Sequence, residues 1–203
     1  MIPKSRLDAL TDGVFAVAMT LLVIDLRLPE GFRPADAPEL LYRLAGLWNQ
    51  ALIYVISFYV LSLRWTRWTG LVRISPRGEM VSDQYTRWAL VHLLPVTLVP
   101  FATTVVARYV SLAPAIWLYA TNTIFFALVA IRMNILAQAD QDRGSLLEDQ
   151  LGLIVLIVAS ILTIVASLAV PKWAMLVYLV NFVDKPLRLL LKRKASAQLR
   201  SSR

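Results

Sequence analysis

Long stretches without a single charged side chain limit what this chain can fold into more than any other feature. Residues 44–63 and 112–131 are two of them, each 20 residues long. An α-helix rises about 1.5 Å per residue, so roughly 20 residues reach about 30 Å, the thickness of the hydrocarbon core of a bilayer. Uncharged stretches of this length therefore predict helices that cross a membrane.

The whole chain has the composition of an integral membrane protein. Of its 203 residues, 58% are hydrophobic and 17% are charged, against about a quarter charged in soluble domains. We predict an all-α integral membrane protein with one domain over residues 1–192, followed by a basic cytoplasmic tail at 193–203. The predicted domain has six transmembrane helices, at about residues 8–28, 44–63, 88–107, 112–131, 151–170 and 173–191.

The distribution of lysine and arginine predicts the orientation in the membrane. Six spans place both termini on one side, and 16 of the 21 basic residues then lie on that side. The side of the membrane with more Lys and Arg is usually the cytoplasmic one, so we expect both termini to be cytoplasmic. This topology accounts for the net charge of +8, and we expect no nucleic-acid partner.

The sequence lacks the residues that several kinds of protein chemistry require. The chain has no cysteine and a single histidine, His92, so a metal centre is not expected. The sequence contains no GxGxxG, Walker or GxSxG motif, and we predict that the protein is neither an enzyme nor dependent on a cofactor. It also lacks the TVGYG filter of ordinary potassium channels. His92 is interpreted as a packing residue or, alternatively, as a proton relay.

The first predicted helix carries acidic residues within its apolar length. Asp8, Asp12 and Asp25 lie in this segment, and a carboxylate at the centre of a bilayer costs about 2.5 kcal/mol or more. We therefore expect this helix to face protein or water and not lipid. Asp12 should face a neighbouring helix, and Arg6 and Thr11 are its nearest candidate partners in sequence.

Small and β-branched residues form a stripe along the same helix. At 100° per residue, Val17 and Ile24 fall within about 20° of each other, and Gly13 and Thr20 lie about 40° and 60° to one side. Such a stripe could line a narrow apolar pore, but small residues also gather where two membrane helices touch. The pattern alone leaves both interpretations open.

The start of this helix resembles the signature of the transmembrane protein 175 family, the endolysosomal potassium channels and their bacterial relatives. That signature is R-x-x-x-F-S-D, and residues 6–12 read RLDALTD, followed by GVFAVAMTLLVIDLRLP. Leu10 stands in the position of the motif Phe, and Thr11 in that of the motif Ser. The length of the chain is similar to that of a single-repeat bacterial member.

The resemblance implies a homotetramer of six-helix subunits in a bacterial inner membrane, with the first helices lining a central pore. Its implied function is a potassium-permeable cation channel with a hydrophobic constriction and weak to moderate potassium selectivity. Counting from the motif Asp places the pore positions at Val17, Thr20 and Ile24, with Gly13 on the same stripe, which favours the pore interpretation. The motif residues implied to form a polar network are Arg6, Thr11 and Asp12.

Two other functions remain possible on the sequence. One is a proton-coupled secondary transporter that uses Asp12, Asp25 or His92, although neither inverted repeats nor broken helices are evident. The other is a structural membrane protein that conducts nothing. The expected partners for the channel are potassium ions, the lipid bilayer and further copies of the chain.

Overall fold

The structure is a computed structural model that describes residues 2–72, 80–137 and 143–180, with the side chains of residues 67, 69–72, 137 and 143–149 excepted. The predicted basic tail at 193–203 lies outside these residues. The described part is almost entirely helical, which confirms the all-α class. Its helices are α1 (Lys4–Leu21), α2 (Ala37–Gly46), α3 (Trp48–Val72), α4 (Asp83–Arg108), α5 (Ala113–Ala137), α6 (Arg143–Ala169), α7 (Pro171–Ala174) and a 3₁₀ helix (Met175–Leu179).

One short pair of β-strands connects the segment just before α1 to the segment just before α4. β1 (Ile2–Pro3) pairs antiparallel with β2 (Met80–Val81), with Ile2 opposite Val81. The pairing holds the start of α1 beside the start of α4, because β1 directly precedes α1 and β2 lies just before α4.

Three helices of the described residues are long and apolar enough to cross a membrane by length and composition. They are α4, α5 over Ala113–Leu136, and α6 over Gln150–Ala169. A fourth crossing is formed if α2 and α3 are counted as one span, with a bend of 46° between them. The chain is therefore a membrane-spanning helical protein.

The first predicted span is less apolar than these helices. α1 has 18 residues and holds four charged side chains, at Lys4, Arg6, Asp8 and Asp12, so it is not apolar enough to belong to that group. It also ends at Leu21, and a predicted helix to residue 28 is replaced by a tight turn in which Ile24 N–H bonds to Leu21 O at 3.2 Å.

Other helices also end at different residues from the spans predicted from the sequence. α3 continues nine residues beyond the predicted end at residue 63, and Arg64 in this extension is buried in the bundle (5% exposed) with its guanidinium 3.8 Å above the ring of Phe126. Arginine is a good helix former, so its charge interrupts the apolar stretch without ending the helix, and a planar cation can stack on an aromatic face. Of the sixth predicted span at 173–191, the described part is short helix up to Val180.

Hydrogen bonds between helices hold the bundle together beside its apolar core. Thr103 of α4 donates to Ser57 of α3 at 2.9 Å, and Asn122 of α5 donates to the carbonyl of Pro95 in α4 at 3.0 Å. Tyr178 donates to Ser160 of α6 at 2.9 Å. Polar contacts of this kind specify helix pairing in membranes, where the lipid is as apolar as the core itself.

Candidate pore helix

α1 has two faces with opposite environments. One face packs into the bundle and carries the buried residues Leu7, Thr11, Phe15, Ala18 and Leu22. Gly13, Val17 and Thr20 of the predicted stripe lie about 150° around the helix from that face, and they are exposed, as is Ile24 in the turn after α1. Nothing else in the described part of the chain covers these residues.

The exposed stripe is apolar at its two largest positions. Val17 is 58% exposed and Ile24 is 60% exposed, and a methyl group added to Gly13 would have no neighbouring atom within 4 Å. The Thr20 hydroxyl donates to the carbonyl of Val17 at 2.9 Å. Because that bond uses the hydroxyl hydrogen, the oxygen lone pairs of Thr20 remain available as acceptors.

A shallow groove follows this surface. It encloses about 410 Å³ and lies between α1 and the exposed Thr97 of α4. Its α1 wall is formed by Ala9, Leu10, Gly13, Val14, Val17, Ala18 and Leu21. The groove is therefore an apolar recess that shares Gly13 and Val17 with the predicted pore stripe.

The three motif residues at the start of α1 do not meet in one network. Arg6 is exposed and makes no ion pair within the described residues. Thr11 is fully buried, but its hydroxyl donates to the carbonyl of Leu7 in its own helix at 2.9 Å. Asp12 instead accepts a hydrogen bond from the indole N–H of Trp65 in α3, at 2.9 Å.

Sequence reasoning missed Trp65 as the partner of Asp12. Trp65 lies two residues beyond the predicted second span, a position that is typical of an interfacial tryptophan in a membrane protein. The signal that could have identified it is chemical. An indole N–H can only donate, so a tryptophan beside an acidic helix is a candidate donor to one of its carboxylates.

His92 lies in an aromatic cluster where four helices meet. It is 3% exposed, its ring stacks with Trp68 at 5.4 Å between centroids, and it contacts Phe126 at 4.4 Å and Phe15 at 6.4 Å. Its Nδ1 has no hydrogen-bond partner among the described residues. The arrangement is that of a packing residue, because three aromatic side chains surround the ring.

The other end of α1 is tied to α4 by polar contacts. The Thr104 hydroxyl contacts one carboxylate oxygen of Asp25 and also lies 2.9 Å from the carbonyl oxygen of Pro100 in its own helix, so its single hydrogen is donated to one of these two acceptors at a time. The Arg108 guanidinium lies 3.4 Å from the other oxygen. Neither contact follows from the sequence, since the partners are 79 and 83 residues from Asp25.

A bundle of membrane-capable helices with an N-terminal helix that exposes an apolar stripe defines the class as a polytopic helical membrane protein. Within that class, residues 6–100 match the family described as the endosomal/lysosomal potassium channel TMEM175. The resemblance to the transmembrane protein 175 family is therefore confirmed, over the segment that contains α1, α3 and most of α4.

Known proteins with related sequences bear names that agree with this match. A potassium channel of Chamaesiphon minutus is 31% identical over 104 residues, which are 51% of this chain and 49% of that protein. A potassium channel of Streptomyces collinus is 33% identical over 107 residues, 52% of this chain and 48% of that one. The chain thus spans about half the length of the curated relatives it matches.

The fold is also similar to that of a solved structure. The crystal structure of a lysosomal potassium-selective channel TMEM175 homolog from Chamaesiphon minutus superposes with a TM-score of 0.77 at 24% identity. The similarity covers 91% of this chain and 96% of that one. The two chains therefore share one fold along almost their whole lengths.

Proposed function

We propose that this protein is a potassium-permeable cation channel that works as a homotetramer, with both termini cytoplasmic in a bacterial inner membrane. Four copies of α1 would surround the pore axis, and the neck would be formed by Val17, Thr20 and Ile24. The observation that carries the proposal is the exposed apolar stripe of α1, which lies opposite the face that α1 packs into its own subunit.

The stripe is a better candidate for the pore than any path within one subunit. An ion crossing a single bundle would meet its closely packed core, which contains Phe15, Ile56 and Val96, each 0% exposed. The exposed stripe is uncovered in one chain and becomes enclosed only when several copies gather around it. The potassium-channel names of the relatives and of the solved structure support a channel function, without indicating where the pore lies.

The composition of the neck predicts how it would discriminate between ions. Val17 and Ile24 offer no oxygen to replace the hydration shell of an ion, so selection depends on how readily the ion sheds water. Potassium sheds water more easily than sodium, which gives a weak to moderate potassium preference. A narrow apolar neck also closes readily by dewetting. Thr20 adds the hydroxyl oxygens at this level.

Flux measurements with matched variants test the proposal. Purified protein in liposomes should release potassium, and sodium more slowly. Val17→Ala should raise the flux, whereas Val23→Ala, which removes the same atoms from a residue that is 48% exposed off the stripe, should leave it unchanged. Potassium flux that requires a proton gradient would instead identify a transporter, and absence of any flux would identify a structural protein.

A further inference from the structure

The proposed neck residue Ile24 lies outside the regular helix that carries the other neck residues. α1 ends at Leu21, and residues beyond it are held by short-range bonds such as Leu26 N–H to Val23 O at 3.0 Å and Arg27 N–H to Asp25 O at 3.0 Å. A turn closed by bonds this local is less rigid than an α-helix. Something besides the helix must therefore set the position of Ile24.

The next residue supplies that constraint. One carboxylate oxygen of Asp25 contacts the Thr104 hydroxyl, which it shares with the Pro100 carbonyl, and the other oxygen lies 3.4 Å from the Arg108 guanidinium. Both partners belong to the last turns of α4. We call Asp25, Thr104 and Arg108 the α1–α4 clamp. The carboxylate of Asp25 joins the turn after α1 to the end of α4.

Packing does little to hold this carboxylate. The clamp borders a cavity of about 320 Å³, which is also lined by Glu30 and Gln50. The side chain of Asp25 is 30% exposed and that of Arg108 is 50% exposed. An ion pair this exposed adds little to the stability of a fold. Its loss should therefore alter the position of the turn without unfolding the bundle.

We infer that Asp25 is a positioning residue for the channel neck: by joining the turn at Ile24 to Thr104 and Arg108, it sets how far the Ile24 side chain reaches toward the pore axis. Asp25 then controls conductance and ion preference without touching the permeating ion. This inference rests on the proposed function, because it needs Ile24 to line the pore.

The test compares variants that break the clamp with one that breaks a neighbouring ion pair. Thr104→Val removes the hydroxyl and keeps the shape of the side chain, and Arg108→Gln removes the charge. Glu30→Gln is the matched control, because Glu30 pairs with Arg27 at 3.5 Å within the same loop and has no bond to α4. Reversal potentials under potassium-to-sodium exchange and single-channel conductance are measured for each variant in planar bilayers.

Both clamp variants should change the potassium-to-sodium permeability ratio by about fivefold, the lower end of typical coupling between two sites. The Glu30→Gln channel should match the wild type. Exchanging the charges, with Asp25→Arg and Arg108→Asp together, should restore part of the wild-type ratio, whereas either reversal alone should not. Size-exclusion chromatography establishes that each variant has the wild-type assembly.

Two results would overturn the inference. If Asp25 acted only as a surface charge at the pore mouth, Asp25→Asn would change conductance while Thr104→Val would not, and the effect would disappear in 1 M salt, where the Debye length is about 3 Å. If Val17→Ala and Ile24→Ala alter conduction but both clamp variants match the wild type, the clamp does not position the neck. If Val17→Ala and Ile24→Ala are themselves silent, the proposed pore is wrong.

Discussion

The indole nitrogen of Trp65 lies 2.9 Å from a carboxylate oxygen of Asp12 and joins the middle of α1 to the second half of α3. This bond is the interhelical contact of the acidic residue in the family motif. Arg6, the nearest basic residue in the motif, is exposed. Removing Asp12 therefore leaves no buried cation from the motif without a partner, and its loss should be tolerated better than the loss of a buried ion pair.

The Asp12–Trp65 bond should make a modest contribution to stability. Trp65→Phe keeps an aromatic ring and removes the donor, which should cost about 1 kcal/mol and lower Tm in detergent by about 2–4 °C. Asp12→Ala should give a similar shift and keep the oligomer. Trp48→Phe, in the same helix at a 52% exposed position, is the control. Equal Tm values for all three variants and the wild type would show that the bond contributes nothing.

The neck variants should separate size from chemistry. Val17→Ala and Ile24→Ala remove apolar bulk from the proposed neck, one in α1 and one in the turn after it, so each should raise conductance and lower the potassium preference. Thr20→Val keeps the size of the side chain and removes the hydroxyl oxygens, so it should lower the preference with little change in conductance. Reversal potentials and conductances of the three channels test this. Wild-type values in all three variants would show that α1 does not line the pore.

Assembly around α1 can be tested by cysteine crosslinking, because the natural chain contains no cysteine. Val17→Cys should form disulfide-linked dimers under mild oxidation, since copies of this residue face one another across the axis in the proposed channel. Val158→Cys, a 48% exposed position on α6, should not. Bifunctional crosslinking in detergent should end at four subunits. A conducting monomer, or equal crosslinking at both positions, would contradict the proposed arrangement.

His92 should matter for packing and not for transport. His92→Phe keeps a ring of similar size in the cluster and removes the unpartnered Nδ1, so Tm should stay the same or rise. His92→Ala leaves a cavity that should cost about 3 kcal/mol, or roughly 6–12 °C in Tm. Potassium flux should persist in the Phe variant. Loss of flux from a stable His92→Phe protein would point to a proton-relay role and to the transporter alternative.

The amino-acid sequence alone determined the class of the protein and the region that defines its family. Uncharged stretches of membrane-spanning length predict a helical membrane protein because a bilayer admits few other structures. The motif from Arg6 to Asp12 is local, so a resemblance to one family could be recognised without coordinates. The alignment of Gly13, Val17 and Thr20 on one side of α1 follows from the 3.6-residue period for the same reason, whereas their exposure was shown only by the structure.

Only the tertiary structure decided where helices end and which polar groups meet. α1 ends at Leu21, and the turn after it contacts Thr104 and Arg108 of another helix through Asp25, whereas α3 continues through Arg64, whose guanidinium lies above a ring from α5. Asp12 meets Trp65 across 53 residues of chain. Such contacts depend on how helices distant in sequence are packed, and neither periodicity nor the composition of one segment contains that information.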